Sequence, residues 1–513
     1  MRKFIQTFPL HSLLFAVYPI ISLYIHNINM VPVEQTFRPL LISVGACGLL
    51  FALFYLLVRD VHRAGFAVSG LLILFFSFGH IRIALMEGTI LGLRYNRPDV
   101  LFSAWAGMFV FCIWFNLRAL RAGQNLTHLF NIVSAALLLF SLASIFANPA
   151  SFDLLNKATA SPSLPGSQDK EMVHRPDVYY IVLDSYGRQD MIEALYGYDN
   201  SWFIEALESR GFYVADESHS NYAYTALSLA SSLNFRYLDE LVPLNNNSDN
   251  LEPLTSAIKN NALMQFYKSN GYQTVEISSA YDGTVIPTVD HLYRFEDRWN
   301  DFEDIVIETS YASMLVLLDY YPPYWSANIR SLSDLKDAVQ IEGPKFVFAH
   351  IMITHLPFVF EPDGSFRQTI VPTRRNTSPD WLSNFIEAYP DQVQFADQAI
   401  LEVIDLILSQ PGDPPVIIVQ GDHGPDAYLD IFSVEDSCIA ERFGILNAYF
   451  VPEEIKAQLY PSISPVNTFR LLLGEYFEGG LPLLPDSAYF SNLLGPYQLV
   501  EVTSLLDRPC TVP

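Results

Sequence analysis

Five apolar stretches ahead of residue 150, at 10–26, 39–58, 64–86, 100–120 and 127–147, constrain the fold more than any other feature of this chain. About 20 apolar residues wound as a helix span the roughly 30 Å of hydrocarbon in a bilayer. Lipid offers no partner to a backbone N–H or C=O, so each stretch must close its hydrogen bonds within itself, as a helix does. Short connections between the five argue against buried helices of a soluble protein and predict an N-terminal multi-pass α-helical membrane domain of five helices over 1–147. The connections also carry a sign. Arg2, Lys3, Arg59, Arg63, Arg118 and Arg121 fall on one side, and Arg38, Arg94 and Arg97 on the other. Six against three places the N-terminus in the cytoplasm. Five crossings then deliver residue 150 to the extracytoplasmic, periplasmic side of the cell (inner) membrane. No cleavage site follows the first stretch, which reads as a retained anchor. His80 and Arg82, near the outer end of the third stretch, fit either a polar seam or snorkelling.

Composition changes where the fifth stretch ends. Residues 1–150 hold ten Lys/Arg and four Asp/Glu, leaving 20 basic and 51 acidic residues in the other 363. So acidic a region argues against nucleic acid as a partner, because phosphate contacts need clustered cations. Residues 148–176, with Asn-Pro and Ser-Pro-Ser-Leu-Pro-Gly-Ser and no helical or strand period, form a linker that tethers the acidic region to the bilayer. Four cysteines are too few and too scattered for a zinc finger or a redox CxxC. Only Cys438 and Cys510 lie in the region assigned to an oxidising space, and on that ground they are expected to pair.

Beyond the linker, helical and strand patterns alternate, as in a C-terminal α/β domain with a central sheet flanked by helices. Pro415-Val-Ile-Ile-Val-Gln-Gly-Asp-His-Gly424 is a buried strand that stops at a glycine and presents Asp422 and His423. Gly421 and Gly424 would let the backbone turn sharply around that pair. Asp177-Val-Tyr-Tyr-Ile-Val-Leu-Asp184 repeats the design; Asp184 could serve a site or cap the following helix. A third run from Lys345 leads into Thr354-His355-Leu-Pro, with His350 five residues before His355. On a continuous strand the two imidazoles would face opposite sides, so both can serve one site only if the strand ends between them. His355 is favoured, since it falls where strand gives way to loop.

Thr225 lies at the entrance of a helix rich in small residues. Its hydroxyl could cap that helix or act as a nucleophile beside free backbone N–H groups, with Ser220 and Ser228 as competitors. Arg442, in a segment 441–452 that reads as strand, suits an anion contact or a structural ion pair. Residues 201–210, 257–270, 302–321, 379–410 and 466–477 read as helices, with Tyr321-Pro-Pro breaking the third. The helix at 379–410 carries an apolar stripe of Phe395, Ile400, Val403, Ile404 and Ile407.

Asp184 after its strand, Thr225 in NYAYTALSLASSLN, His355 in THLPF and GDHG at 421–424 together resemble the alkaline phosphatase (sulfatase-like) superfamily. With the five-helix anchor, the chain is similar to its membrane branch of lipoteichoic acid synthases and phosphoethanolamine transferases. The resemblance implies a catalytic domain at 177–480, a C-terminal extension at 481–513, and one divalent ion held by Asp184, Thr225, Asp422 and His423. That oxygen and nitrogen set suits Mn²⁺ or Zn²⁺, with Mg²⁺ or Ca²⁺ less favoured. Thr225 would be the catalytic nucleophile, His355 would orient substrate or protonate the leaving oxygen, and His350, His355 and Arg442 would line the substrate. The implied activity is phosphoryl-group transfer or phosphodiester hydrolysis on lipid head groups or envelope glycopolymers through a covalent phospho-Thr intermediate. Those synthases and transferases commonly carry Glu where this chain has Asp184. No C/S-x-P-x-R setting for a formylglycine nucleophile occurs, which disfavours sulfate esters. A hydrolase of small esters that ignores the membrane, and a non-catalytic membrane scaffold, are the alternatives. No feature of the chain speaks to its oligomeric state.

Overall fold

The computed structural model describes residues 8–28, 33–87, 98–118, 123–147, 175–244, 250–279, 281–294, 300–313, 321–371, 380–474, 480–492 and 495–510. The chain forms two compact units, one of Met1–Ala158 with Asp297–Tyr320 and one of Thr159–Glu296 with Tyr321–Pro513. All but two of the residues read as linker, and Arg2, Lys3, Arg94, Arg97 and Arg121 of the charge count, lie outside the described residues.

The first unit is helical. Its helices are α1 His11–His26, α2 Phe37–Val58, α3 Val61–Glu87, α4 Pro98–Arg118 and α5 Gln124–Ala147. The last four are long and apolar enough to cross a membrane, whereas α1, with 16 residues, is shorter. This protein is a membrane protein. The unit also takes in a segment far along the chain. A helix at Asp301–Glu308 opens with a capping box in which Asn300 and Glu303 satisfy each other's backbone N–H groups. Phe302 is fully buried beside Ile20, and the Glu303 carboxylate is paired with Arg38. Gly79 N donates to Thr309 O at 3.1 Å, and Tyr311 N to Phe75 O at 2.8 Å. The sequence pattern puts 302–321 with the acidic half, yet its contacts are with the apolar helices.

The second unit is built on a seven-stranded sheet. In chain order its strands are β1 Val178–Leu183, β2 Tyr213–Val214, β3 Gln273–Ile277, β4 His291–Tyr293, β5 Lys345–Ile351, β8 Val416–Gly421 and β9 Asn447–Phe450; β6 Phe358–Phe360 and β7 Phe366–Val371 form a separate pair, as do β10 Tyr489–Asn492 and β11 Gly495–Glu501. Across the sheet the order is β2-β9-β8-β1-β5-β3-β4. The central β8, β1 and β5 are parallel and buried throughout, as expected of strands covered on both faces. Along β1, Tyr179, Ile181 and Leu183 point into one core, and Val178, Tyr180 and Val182 into the other. The long helix Trp381–Leu408 covers the first face with Val393, Ile400, Val403, Ile404 and Ile407. Each such side chain taken wholly from water stabilises the fold by about 1.5–3 kcal/mol.

Several local expectations change. Residues 257–270 are two helices, Glu252–Lys259 and Ala262–Ser269, because Asn261 caps the second by accepting from Met264 N. Residues 439–443 are helical ahead of β9. Pro322 and Pro323 sit in the first turn of the helix Tyr321–Ala338, where a missing N–H costs nothing, so they start a helix instead of ending one. Cys438 and Cys510 form a disulfide.

Candidate metal centre

Strand register assembles the site. Leu183 of β1 pairs with Gly421 of β8 and with Ile351 of β5, so the three carboxyl ends lie level. Asp184 and Asp422 follow their strands by one residue, and His350 sits one short of the end of β5. Ligands at the carboxyl edge of a parallel sheet are the rule for such folds. Asp184, His350 and Asp422 bring potential metal-ligating atoms within 4.8 Å of one another.

The backbone around them is held under strain. Ser185 has φ of +62°, a conformation that costs a residue with a Cβ about 1 kcal/mol. Its N–H then donates to Asp422 Oδ1 at 3.1 Å, and its hydroxyl to Asp184 Oδ1 at 3.0 Å. Tyr389, from the long helix, donates to Ser185 O at 2.8 Å and accepts from Gly187 N at 3.0 Å. Tyr186 donates to Asp397 on the same helix. Gly421 and Gly424 have a different role from the one expected, since neither adopts a positive φ. A Cβ on Gly424 would lie 2.0 Å from Glu441 O, and one on Gly421 2.5 Å from Tyr186 O. They are required for close approach of backbones.

Thr225 opens the helix Thr225–Ser232, but its hydroxyl does not cap it. It donates to Asp184 Oδ2 at 3.2 Å and lies 3.1 Å from His423 Nε2. The competing hydroxyls are engaged elsewhere. Ser228 donates to Asp422 O at 2.7 Å, and Ser220 to Tyr222 O at 3.1 Å. Asp184 does not cap the next helix, whose N-cap is Arg188.

Because β5 ends at Ile351, between the two histidines, both can approach one centre. The buried His350 is the nearer, with Nε2 at 3.2 Å from Asp184 Oδ2, and its Nδ1 faces Ser279 and Thr284 hydroxyls at 3.1 and 3.3 Å. The preference for His355 on strand position missed this, since a residue inside a strand can still reach the edge. His355 is half-buried in the following turn, close enough to act electrostatically on Asp184. Arg442 is buried and donates to Ala223 O and Gly424 O at 2.6 and 2.9 Å. It thereby joins the loop ahead of Thr225 to the loop after His423.

The donor set fits a cation. Among the described residues Asp422 Oδ2 is buried with no hydrogen-bond partner, its nearest ring nitrogen being His423 Nε2 at 3.3 Å, an arrangement that costs free energy unless a positive charge meets it. Burial by itself would raise Asp184, but the imidazoles of His355, His350 and His423 reverse that and hold it below the usual carboxylate range. Burial and the Asp184 charge push Asp422 up to about 7. Burial, with Arg442 nearby, lowers His423 well below an ordinary histidine. The His423 imidazole, lowered toward its neutral form, beside two carboxylates that resist joint ionisation makes a site that a divalent cation would stabilise. Ser185, Tyr389, Ser279 and Thr284 were not found from sequence; no residue-type signal separates them from ordinary loop and helix positions.

The chain matches the family described as Sulfatase over residues 176–456. Among solved structures, the C-terminal periplasmic domain of EcEptC from Escherichia coli in complex with Zn is 14% identical, covering 68% of this chain and 98% of that one with a TM-score of 0.45. Lipooligosaccharide phosphoethanolamine transferase A (EptA) from Neisseria meningitidis, an integral membrane protein, is 14% identical over 91% of this chain and 94% of that one, with a TM-score of 0.41. The 2-O GAG sulfatase BT1596 is 11% identical over 57% and 68%, with a TM-score of 0.35. No curated protein matches. The Sulfatase match spans more than half of the 513 residues and brackets Asp184, Thr225, His350, Asp422 and His423, and the chain therefore belongs to the Sulfatase family of enzymes, within the alkaline phosphatase superfamily.

Proposed function

We propose that the chain is a membrane-anchored, metal-dependent phosphoryl-group transferase or phosphodiester hydrolase that acts on lipid head groups or envelope glycopolymers through a phospho-Thr225 intermediate. The observation that carries this reading is the Thr225 hydroxyl, which forgoes its helix cap and points between Asp184 and His423. Asp184, Thr225, Asp422 and His423 would hold the ion, with His350 as a further donor beside Asp184. A divalent ion there, Mn²⁺ or Zn²⁺ by the mixed donor set, would supply Lewis-acid charge to a phosphoryl oxygen and to the nucleophile.

Thr225 Oγ1 attacks phosphorus, the bond from phosphorus to the leaving oxygen breaks, and the hydroxyl proton passes to the carboxylate pair of Asp184 and Asp422, of which Asp422 is the more basic. Backbone N–H groups at the entrance of the Thr225–Ser232 helix face the phosphoryl oxygens. His355 protonates the leaving oxygen or orients the substrate, and water or an acceptor hydroxyl then displaces Thr225. Arg442 fixes the two loops against each other. The catalytic region is 177–480, with 481–513 an extension tied back through Cys510.

The arginine asymmetry supports a cytoplasmic N-terminus and an extracytoplasmic second unit. That parity depends on α1 crossing the bilayer. Labelling of a cysteine introduced within 155–170 checks it: reaction with an impermeant reagent in intact cells is expected, and protection until lysis overturns the topology. For the chemistry, the purified chain is incubated with membrane lipids and its peptides are weighed. An adduct on the Thr225 peptide is expected; an adduct on a Ser220 or Ser228 side chain dismantles the mechanism.

A further inference from the structure

A cavity of about 1050 Å³ lies within the first unit, walled by α1, α3, α5 and the 301–309 segment. Its lining changes along its length. Buried Phe15, Ile20 and Leu72 form one part, while His26, Ser77, His80, Ser144 and Thr309 line the same cavity further along. From Phe15 to His26 the cavity runs about 16 Å along α1, at the α-helical rise per residue. Among the described residues no Asp, Glu, Lys or Arg lines it. Ser77 and Ser144 donate to carbonyls of their own helices, whereas neither His26 nor His80 has a hydrogen-bond partner among the described residues.

The wall is built by a segment from far along the chain. Thr309 O accepts from Gly79 N, and a Cβ on Gly79 would lie 2.3 Å from the Thr309 carbonyl carbon. The segment is therefore seated against bare backbone. Buried Phe302 and the Glu303 pair with Arg38 hold its start.

We propose that this cavity is a binding site for one glycerophospholipid of the surrounding bilayer, with an acyl chain along the apolar wall and the phosphate on the imidazoles of His26 and His80. The physical reasons are size, polarity gradient and the ring nitrogens offered without a competing carboxylate among the described lining residues. The volume is at the upper end of the roughly 300–1,000 Å³ of small-molecule sites. An apolar void left empty forfeits dispersion contacts that a lipid tail supplies. Among the described lining residues a phosphate meets two imidazole donors and no carboxylate. The proposal rests on the membrane placement of the first unit and not on the chemistry at Thr225.

The test uses the full chain in nanodiscs of phosphatidylethanolamine and phosphatidylglycerol, doped with phosphatidylglycerol carrying an acyl-chain diazirine. Photolabel is expected to concentrate on α1 and α5 peptides that line the cavity. Ser141→Trp, which fills it, should lower that labelling by about tenfold; Leu139→Trp, on the outward face of α5 and 65% exposed, should not. His26→Ala with His80→Ala replaces two exposed side chains and should leave the melting temperature unchanged. It should weaken labelling by the phospholipid but not by a diacylglycerol with the same diazirine. Thr225→Ala should label as the parent does, which separates failure here from failure of the catalytic reading. Label spread evenly over the outward faces of α2, α4 and α5, unaltered labelling of Ser141→Trp, or equal labelling by diacylglycerol and phospholipid in the parent chain would overturn the proposal.

Discussion

The two units expose opposite kinds of side chain for the same reason. In the sheet unit the interior is largely apolar, with Ile181, Val347 and Val419 fully removed from solvent, and buried Asp184, His350, Asp422 and His423 meet at the carboxyl ends of its central strands. In the helical unit many large apolar side chains face outward: Leu49 is 76% exposed, Leu41 73% and Phe140 77%. Ser43, Ser69, Ser134, Asn131 and His11 are inside. His11 Nδ1 meets Ser69 Oγ at 2.7 Å, while Asn131 accepts from His11 N and donates to Phe8 O at 2.8 and 2.9 Å. Each unit hides from its surroundings what those surroundings will not solvate. In lipid, small polar residues hold helices together; in water, a buried polar cluster is costly unless its charges are met, and the one at the strand ends is the candidate metal centre.

The largest effect is expected at that cluster. Thr225→Ala should lower turnover by about 10³-fold or more and abolish the covalent adduct, with little change in melting temperature because the hydroxyl caps nothing. Asp422→Asn should lose both bound metal, read by elemental analysis, and turnover. Ser228→Ala should keep the adduct and cost about 1 kcal/mol, since it removes one buried hydrogen bond. A Thr225→Ala protein with near-normal phosphodiester cleavage would reduce the buried cluster to a structural device.

Next in size is a test of the inside-out pattern. Leu49→Asp, midway along α2, should cost about 3 kcal/mol of membrane insertion. Phe432→Asp, at a side chain that is 56% exposed in the sheet unit, should stay within about 0.5 kcal/mol. Insertion assays and melting curves measure the two, and equal tolerance would erase the distinction. A smaller loss, about 1 kcal/mol, is expected for Asn131→Ala, which uncaps the start of α1 from a different helix; hydrogen exchange at the α1 amides reports it.

The smallest effect concerns Asp397, buried behind Tyr186. Burial holds its carboxyl well above the usual range, against hydrogen bonds from Tyr186 and Asn200 that favour the charged form. The folded state therefore keeps a proton that the unfolded chain has released above about pH 4, and stability falls as pH rises from there toward the folded value. Asp397→Asn removes that dependence. Its melting temperature should exceed the parent's at pH 8 and converge with it near pH 4; a constant offset across that range would contradict the assignment.

The elements that the chain specifies locally could be read from it. Runs such as Val416 to Val419 state burial on both faces, the apolar stretches state a membrane, and an acidic residue directly after an apolar strand marks that strand's carboxyl end, where such folds place their sites. Asp184, Asp422 and His423 were legible for that reason, and Thr225 by its place at a helix entrance together with the resemblance. The features beyond reach depend on partners distant in the chain. His350 outranks His355 in proximity because β5 is set in register with β1, placing His350 opposite Val182. Ser185 matters because Tyr389, some 204 residues away, holds its carbonyl.

The segment around 300–311 shows the division most clearly. Its sequence determined an amphipathic helix with a capped start; only the tertiary structure decided that Glu303 meets Arg38, 265 residues earlier, and that Thr309 lies against the bare backbone of Gly79. Propensity, capping and periodicity act over a few residues and are written in the sequence. Register, close approach and the pairing of a buried charge are energies between segments, and they exist only once the chain has brought those segments together.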